Sequence, residues 1–252
     1  FTDTPGEHQD KLKSLNYKID ILRGPLKEEI LLPIISNYDG IICGDDEITR
    51  KVISNGKKGK LKVISKYGIG LDKIDLKSAD EFGIKVCKTP GVNHVAVSEH
   101  ILALLFSYYK NIHLEYNITK DGKWERLIGH EIYGKKIGIV GYGRIGHELA
   151  QRSKALGLIV KAYDPYATNK SIIDSKVDFI KNINELVKDI DILALTLPLN
   201  EETEGMIDEK IINSASKKMV IVNTSRALIV NQKDLIKSLK ANKIKAYLTD
   251  VL

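Results

Sequence analysis

Arg226 has the most suggestive surroundings of any charged residue in this chain. It stands just beyond an apolar run, Met219 to Asn223, in the string Asn223-Thr224-Ser225-Arg226, and only six of the 39 basic residues are arginine. A guanidinium at the end of a buried strand can grip a carboxylate through two charge-assisted hydrogen bonds. It can also lend positive charge to a neighbouring carbonyl oxygen. An ordinary surface ion pair is the plainer alternative. A second group is Gly141-Tyr142-Gly143-Arg144-Ile145-Gly146, which follows the apolar run Ile137 to Val140. After it, Ile145, Leu149, Ser153 and Leu156 fall on one helical face, closed by Gly157, and a further apolar run, Ile159 to Tyr163, leads to Asp164. Strand, glycine turn, helix, strand, acid is the order that a dinucleotide site requires. The first glycine permits the tight turn, the second lets a pyrophosphate approach the backbone, and the third lets helix and strand pack closely. Free N–H groups at the helix start then face the phosphates. Asp164 lies 18 residues after Gly146. A carboxylate there accepts from a ribose 2′-hydroxyl and repels a 2′-phosphate, so NAD is expected rather than NADP; a solvated loop acid before Pro165 is the alternative.

Other strand ends carry weaker chemistry. Thr196-Leu197-Pro198 follows the run Ile190 to Leu195 and could wall an adenine or ribose, with Pro198 holding the chain away from helix. Asp250 follows Lys245 to Thr249 and could accept from a carboxamide or cap a turn. Near the start, Lys66-Tyr67-Gly68-Ile69-Gly70 follows a strand-like run. Its glycines leave backbone N–H groups open to an anion and Lys66 could add charge, though a plain turn fits as well.

Elements that could position these residues recur in a strand–helix alternation, the mark of a parallel α/β sheet. Strands are expected at Ile19 to Leu22, Gly40 to Cys43, Leu61 to Ile64 and Gly83 to Cys87, with helices over Pro25 to Ile35 and Thr49 to Ser54. A long helix with apolar residues around most of its circumference is expected from about Asn93, as N-cap, to Ile112, suiting a domain junction. From Glu115 to Tyr133 the chain turns polar around Trp124 and reads as an extended arm against another subunit. Beyond it, strands at Ile137 to Val140, Ile159 to Tyr163, Ile190 to Leu197, Met219 to Asn223 and Lys245 to Val251 make a doubly wound sheet, with helices including Asp208 to Ser214 and Gln232 to Ala241. Ligands of such sheets sit beyond the carboxyl ends of the strands.

Composition sets the outer limits. The 252 residues, 43% hydrophobic and 29% charged, suit a globular protein of two modest domains. The net charge of +6 comes from scattered lysines with acids between them, which is a solvated face rather than a nucleic-acid surface. Cys43 and Cys87 are isolated, and without Cys/His ligand spacing no metal site or disulfide framework is expected; a reducing cytoplasm fits. The longest apolar stretch, Ile101 to Phe106, is too short for a bilayer, and no signal peptide is visible, so no membrane role is expected.

Taken together, Lys66 to Asp72, Thr89-Pro90-Gly91-Val92-Asn93 with Ser98-Glu99-His100, and Gly141 to Gly146 with Asp164 resemble the D-isomer-specific 2-hydroxyacid dehydrogenases. Leu197-Pro198-Leu199 with Thr203 and Gly205, then Asn223 to Arg226, then Thr249-Asp250-Val251 continue the pattern in order, nearest the phosphoglycerate dehydrogenase-like branch. The resemblance implies an incomplete, flavodoxin-like α/β substrate domain over residues 1–93 and a Rossmann NAD domain over 94–252. It implies hydride transfer between NAD and a small D-2-hydroxy or 2-oxo acid, 3-phosphoglycerate among them, in a homodimer. Lys66, Gly68, Ile69 and Gly70 would meet the substrate carboxylate, and Arg226 would hold it and polarise the carbonyl. The NAD contacts would be Gly141, Gly143, Arg144, Ile145 and Gly146; Tyr163, Asp164 and Pro165; Leu197, Pro198 and Thr203; Thr224, Ser225 and Arg226; and Asp250.

Three departures qualify this. The family's acid–base histidine and partner glutamate lie beyond the motif at Asp250 and are not in this chain; truncation is expected rather than natural loss, with the first domain's return segment missing too. His94 and His100 read as cap or packing residues, and His8, His113, His130 and His147 as surface residues. Ala227 and Asn231 replace the usual glycine and aspartate, and Gly44-Asp45-Asp46-Glu47 sets three acids where phosphoglycerate dehydrogenases carry arginine. An unphosphorylated acid is thus equally open. A non-catalytic NAD-sensing relative, or a formate- or phosphite-type dehydrogenase, would share most of these residues.

Overall fold

The computed structural model describes residues 6–168, 177–216 and 218–251. It falls into two compact units, Phe1–Val92 and Asn93–Leu252. No helix among the described residues is long and apolar enough to cross a membrane.

In the first unit, helices α1 (Glu7–Ser14) and α2 (Glu28–Leu31) precede strand β1 (Gly40–Cys43), α3 (Arg50–Lys58), β2 (Val63–Lys66), α4 (Leu76–Glu81) and β3 (Lys85–Cys87). The three strands are parallel in the order β1-β2-β3. The helices that cross between them start where the sequence provides caps. Thr49 accepts from Val52 N–H at the head of α3, and Asp75 accepts from Ser78 N–H at the head of α4. Val52, Ile53 and Gly56 turn inward from α3 and, with Cys43, Ile48, Ile64, Ile74 and Ile84, form a core under the sheet. Ile19 to Leu22 is irregular rather than a strand. Its apolar spacing finds no sheet edge here, and Ile21 is 65% exposed. The helix expected over Pro25 to Ile35 shrinks to α2 and a 3₁₀ turn at Ile35–Asn37, because Pro33 has no N–H to continue it.

The second unit is a six-stranded parallel sheet of β4 (Lys136–Val140), β5 (Ile159–Tyr163), β6 (Asp178–Phe179), β7 (Ile192–Leu195), β8 (Val220–Asn223) and β9 (Ala246–Thr249). The spatial order β6-β5-β4-β7-β8-β9 reverses direction between β4 and β7. Helices cover both faces, so the central strands are mostly apolar; all four residues of β7 are buried. Ile192 and Ala194 enter one core with Ile101, Leu105 and Leu149, whereas Leu193 and Leu195 enter the other with Leu186, Ile211 and Leu235. This is the doubly wound Rossmann arrangement.

Before that sheet comes α5 (His94–Tyr109), whose Ile101, Leu102, Leu105 and Tyr109 are buried. It stops earlier than the apolar pattern suggests, because Asn111 takes a left-handed φ of 56° and starts a separate α6 (Ile112–Lys120). The polar stretch from Glu115 is therefore helical as far as Lys120 and irregular only beyond it. After α5 and α6, α7 (Arg144–Ala155) joins β4 to β5 and closes at Gly157, φ 78°. Its buried face is Gly146, Leu149, Ala150 and Ser153, while Leu156 is 37% exposed.

Candidate functional site

In an open α/β sheet, the place where strand order reverses leaves a crevice at the carboxyl ends of the strands. Here that place lies between β4 and β7, and the glycine turn follows β4 directly. Gly141 donates its N–H to Tyr163 O at 2.8 Å and has φ +91°. A Cβ there would lie 2.8 Å from Thr196 O, so both the backbone angle and the neighbour exclude a side chain. Gly146 is shut in further: a Cβ would come within 2.2 Å of Gly141 O. Gly143, the N-cap of α7, is the opposite case. It has no side-chain cap, and a Cβ on it would meet nothing within 4 Å. Two of the three glycines are therefore required by the protein's own packing, and the middle one borders open space in front of a helix N-terminus.

The elements beside the turn hold it in place. Thr196, just after β7, donates its hydroxyl to Gly141 O at 2.7 Å. Asp164, just after β5, accepts from Tyr142 N–H through Oδ2 at 2.7 Å and from Tyr166 N–H through Oδ1 at 2.8 Å. Tyr163 is half-buried, and Pro165 and Arg144 are exposed. Leu197 packs on the core and Pro198 is exposed. Thr203 folds back on this loop, donating to Pro198 O at 2.7 Å and accepting from Asn200 N–H at 2.9 Å.

At the end of β8, Asn223 is wholly buried and organises the loop that carries the arginine. Its Nδ2 donates to Arg226 O and to Tyr247 Oη, both at 2.9 Å, while its Oδ1 accepts from Ser225 N–H at 3.0 Å. Ser225 Oγ donates to Leu195 O at 2.9 Å, tying the loop to β7. Arg226 is half-buried, with Nη1 donating to Ser225 O at 2.7 Å. Thr224 Oγ1 is buried with no hydrogen-bond partner among the described residues. Asp250, exposed at the end of β9, faces His100 Nε2 across 3.4 Å.

The structure thus gathers the turn, Asp164, the Leu197–Pro198 loop, Asn223 to Arg226 and Asp250 on one edge of one sheet. Lys66 to Gly70 belong to the first unit, after β2. There Lys66 is buried, and its ammonium donates to Gly44 O and Asp45 Oδ1. Gly68 gives its N–H to Thr89 Oγ1 at 2.9 Å, so only Ile69 and Gly70 of the expected three amides are left unengaged among the described residues.

Three residues carry more than the sequence suggested. Asn93 occupies the N-cap position but caps nothing: its backbone, φ −118° and ψ 3°, is not the extended form that aims a cap side chain at the helix. Its Oδ1 and His94 Nδ1 are buried without a hydrogen-bond partner among the described residues. His100 is not a packing residue, since it meets Asp250. No local signal marks that pair, which only the docking of α5 beside β9 creates.

Residues 102–252 match the family model described as D-isomer specific 2-hydroxyacid dehydrogenase, NAD binding domain. The chain belongs to the D-isomer-specific 2-hydroxyacid dehydrogenase family. It is 35% identical over 248 residues to a D-3-phosphoglycerate dehydrogenase of Methanocaldococcus jannaschii, covering 97% of this chain and 47% of that one. It is 33% identical over 237 residues to a hydroxypyruvate reductase of Thermotoga maritima, covering 93% of this chain and 76% of that one. Among solved structures, the apo D-lactate dehydrogenase of Escherichia coli superposes with a TM-score of 0.84 at 27% identity, over 96% of this chain and 77% of that one. The chain spans about half the length of the phosphoglycerate dehydrogenase it matches.

NAD is accordingly the cofactor of this domain, and the residues present suit it. Gly143 leaves room where a side chain would intrude, α7 offers uncapped N–H groups, and Thr224 Oγ1 is a buried polar atom awaiting a partner.

Proposed function

We propose that this chain supplies the coenzyme domain and part of the substrate domain of an NAD-dependent oxidoreductase that interconverts a small D-2-hydroxy acid and its 2-oxo acid. Residues 94–252 form the coenzyme domain in this reading, and residues 1–93 the substrate side. The observation that carries it is the loop after β8, where Asn223 clamps the backbone of Arg226 on the edge that also holds the glycine turn. A guanidinium so anchored grips the substrate carboxylate and stabilises negative charge as it grows on the C2 oxygen. In the first unit, taken by itself, the N–H groups of Ile69 and Gly70 are the donors that the family resemblance assigns to an acid's carboxylate. NAD, when bound, supplies the acceptor or donor of the hydride exchanged with C2. Oxidation also frees the hydroxyl proton, which the family resemblance assigns to an acid–base histidine paired with a glutamate.

For the coenzyme, Gly141, Gly143 and Gly146 with Arg144 and Ile145 take the pyrophosphate. Tyr163, Asp164 and Pro165 border the adenosine ribose, and Leu197, Pro198 and Thr203 flank the adenine side. Thr224, Ser225, Arg226 and Asp250 lie toward the nicotinamide. Two relatives are named for acids with and without a phosphate, so the reading specifies a reaction type and not one acid.

A homodimer also belongs to it. Between α6 and Tyr133 the chain leaves Trp124 89% and Ile128 85% exposed, an apolar surface suited to a second copy. Unpaired Cys43 and Cys87 fit a reducing cytoplasm. The reading is tested by following NADH formation by the full-length protein with D- and L-forms of small 2-hydroxy acids. Turnover confined to D-acids supports it; turnover of none, with NAD still bound, favours the non-catalytic sensor.

A further inference from the structure

We infer that Asp45, acting through Lys66, tunes the anion loop of the first unit toward singly charged acids and against phosphorylated ones. This deepens the dehydrogenase reading above and rests on it.

The pairing register sets Cys43 of β1 opposite Lys66 of β2, so Gly44–Glu47 and Lys66–Gly70 leave the sheet side by side. Lys66 is a cation with nowhere to go: its side chain is 5% exposed. Its stem passes along the anion loop, since a Cβ on Gly68 would lie 3.4 Å from Lys66 Cε. Its ammonium, however, is already committed, donating to Gly44 O and, at 2.7 Å, to Asp45 Oδ1. Asp45 is itself 74% exposed, so its charge stands at the surface of this edge.

The two neighbouring acids have other work. Asp46 is buried and accepts from Leu26 N–H at 2.6 Å and Gly44 N–H at 2.8 Å, and Glu47 accepts from Glu28 N–H at 3.3 Å. Those bonds fix the loop. The buried cation is thus cancelled by Asp45, and two further carboxylates stand close by. A single carboxylate needs only the N–H groups of Ile69 and Gly70. A phosphate brings an added charge of about −1.5 to −2 at neutral pH and finds repulsion here instead of an open ammonium. Removing the charge of Asp45 leaves Lys66 as an uncancelled cation beside the loop, which is why Asp45 governs the choice.

The test compares kcat/KM of the full-length protein for D-glycerate and for its 3-phosphate, with NAD, in wild type, Asp45→Asn and Asp45→Ser. The wild type is expected to prefer the unphosphorylated acid by about tenfold or more, and each folded variant to shrink that ratio by about tenfold. A measurement without any variant backs it: raising salt from about 0.05 M to about 0.5 M should narrow the wild-type ratio by screening Asp45. A wild-type preference for the phosphate ester, or a ratio untouched by both salt and substitution, overturns the inference while leaving the dehydrogenase reading intact. Oxidation of neither acid, nor of any other D-2-hydroxy acid, means that the dehydrogenase reading itself has failed.

Discussion

Tyr142 and Asp164 are 22 residues apart in sequence and joined by one short bond, the Tyr142 N–H donating to Asp164 Oδ2 at 2.7 Å. The acid therefore braces the glycine turn, and each of its oxygens keeps a lone pair for a further donor. Replacing it should act on two levels. Asp164→Ser is expected to weaken NAD binding by about tenfold and NADP binding much less, because the repulsion of a 2′-phosphate disappears with the charge. Calorimetry with both coenzymes measures the ratio. Tighter binding of NADP than NAD by the unaltered protein would falsify the ribose assignment.

Gly143 and Gly146 separate packing from binding. A Cβ at position 146 would come within 2.2 Å of Gly141 O, so Gly146→Ala should lower stability by about 2 kcal/mol or more in thermal or urea unfolding. Position 143 has room, and Gly143→Ala should cost about 1 kcal/mol as a poorer N-cap. Its larger effect should be on NAD affinity. Normal affinity in folded Gly143→Ala protein would show that the coenzyme does not approach that backbone.

Arg226 and Asn223 should fail differently. Arg226→Lys keeps the charge but loses the planar fork, so kcat/KM should fall about a hundredfold or more with NAD affinity changed less than about threefold. Equal losses in both would assign the residue to the coenzyme or to the fold. Asn223→Ala removes three hydrogen bonds from a fully buried side chain and should cost about 2–4 kcal/mol of stability.

Cys43 gives the first unit an alkaline limit. Burial pushes its thiol up from 9.0 to about 11, with the neighbouring Lys66 opposing the rise. The folded state therefore holds that proton more tightly than the unfolded chain. Its contribution is complete below about pH 9 and fades as pH climbs toward about 11. Wild type should lose more stability than Cys43→Ala between about pH 8 and about pH 10.5 in urea melts. In native protein at about pH 8, thiol-specific alkylation should reach half-buried Cys87 and spare Cys43. Parallel alkaline stability curves for the two proteins would contradict this account.

Much of the coenzyme domain was legible because its constraints are local. Gly141, Gly143, Gly146 and Asp164 are tied by spacing to a strand–turn–helix–strand unit, and β5 has the bounds its apolar run suggested. Periodicity was less informative where the deciding partner is remote. Ile19 to Leu22 has a strand's composition but no strand beside it among the described residues. Asn111, left-handed, splits one apolar pattern into two helices. The brief β6, only Asp178–Phe179, has too few residues to show any period. His100 meets an acid 150 positions away, and the engagement of Lys66 by Asp45 depends on a parallel register.

Thr196, finally, sets how much order the second unit has before any coenzyme arrives. Its hydroxyl reaches from one half of the sheet to the turn of the other, while Ser225 reaches back from β8 to Leu195. Both halves of the crevice rim are thus cross-stitched ahead of time. A dinucleotide bound as proposed above has little chain freedom left to remove, so association should be fast and its entropic penalty small.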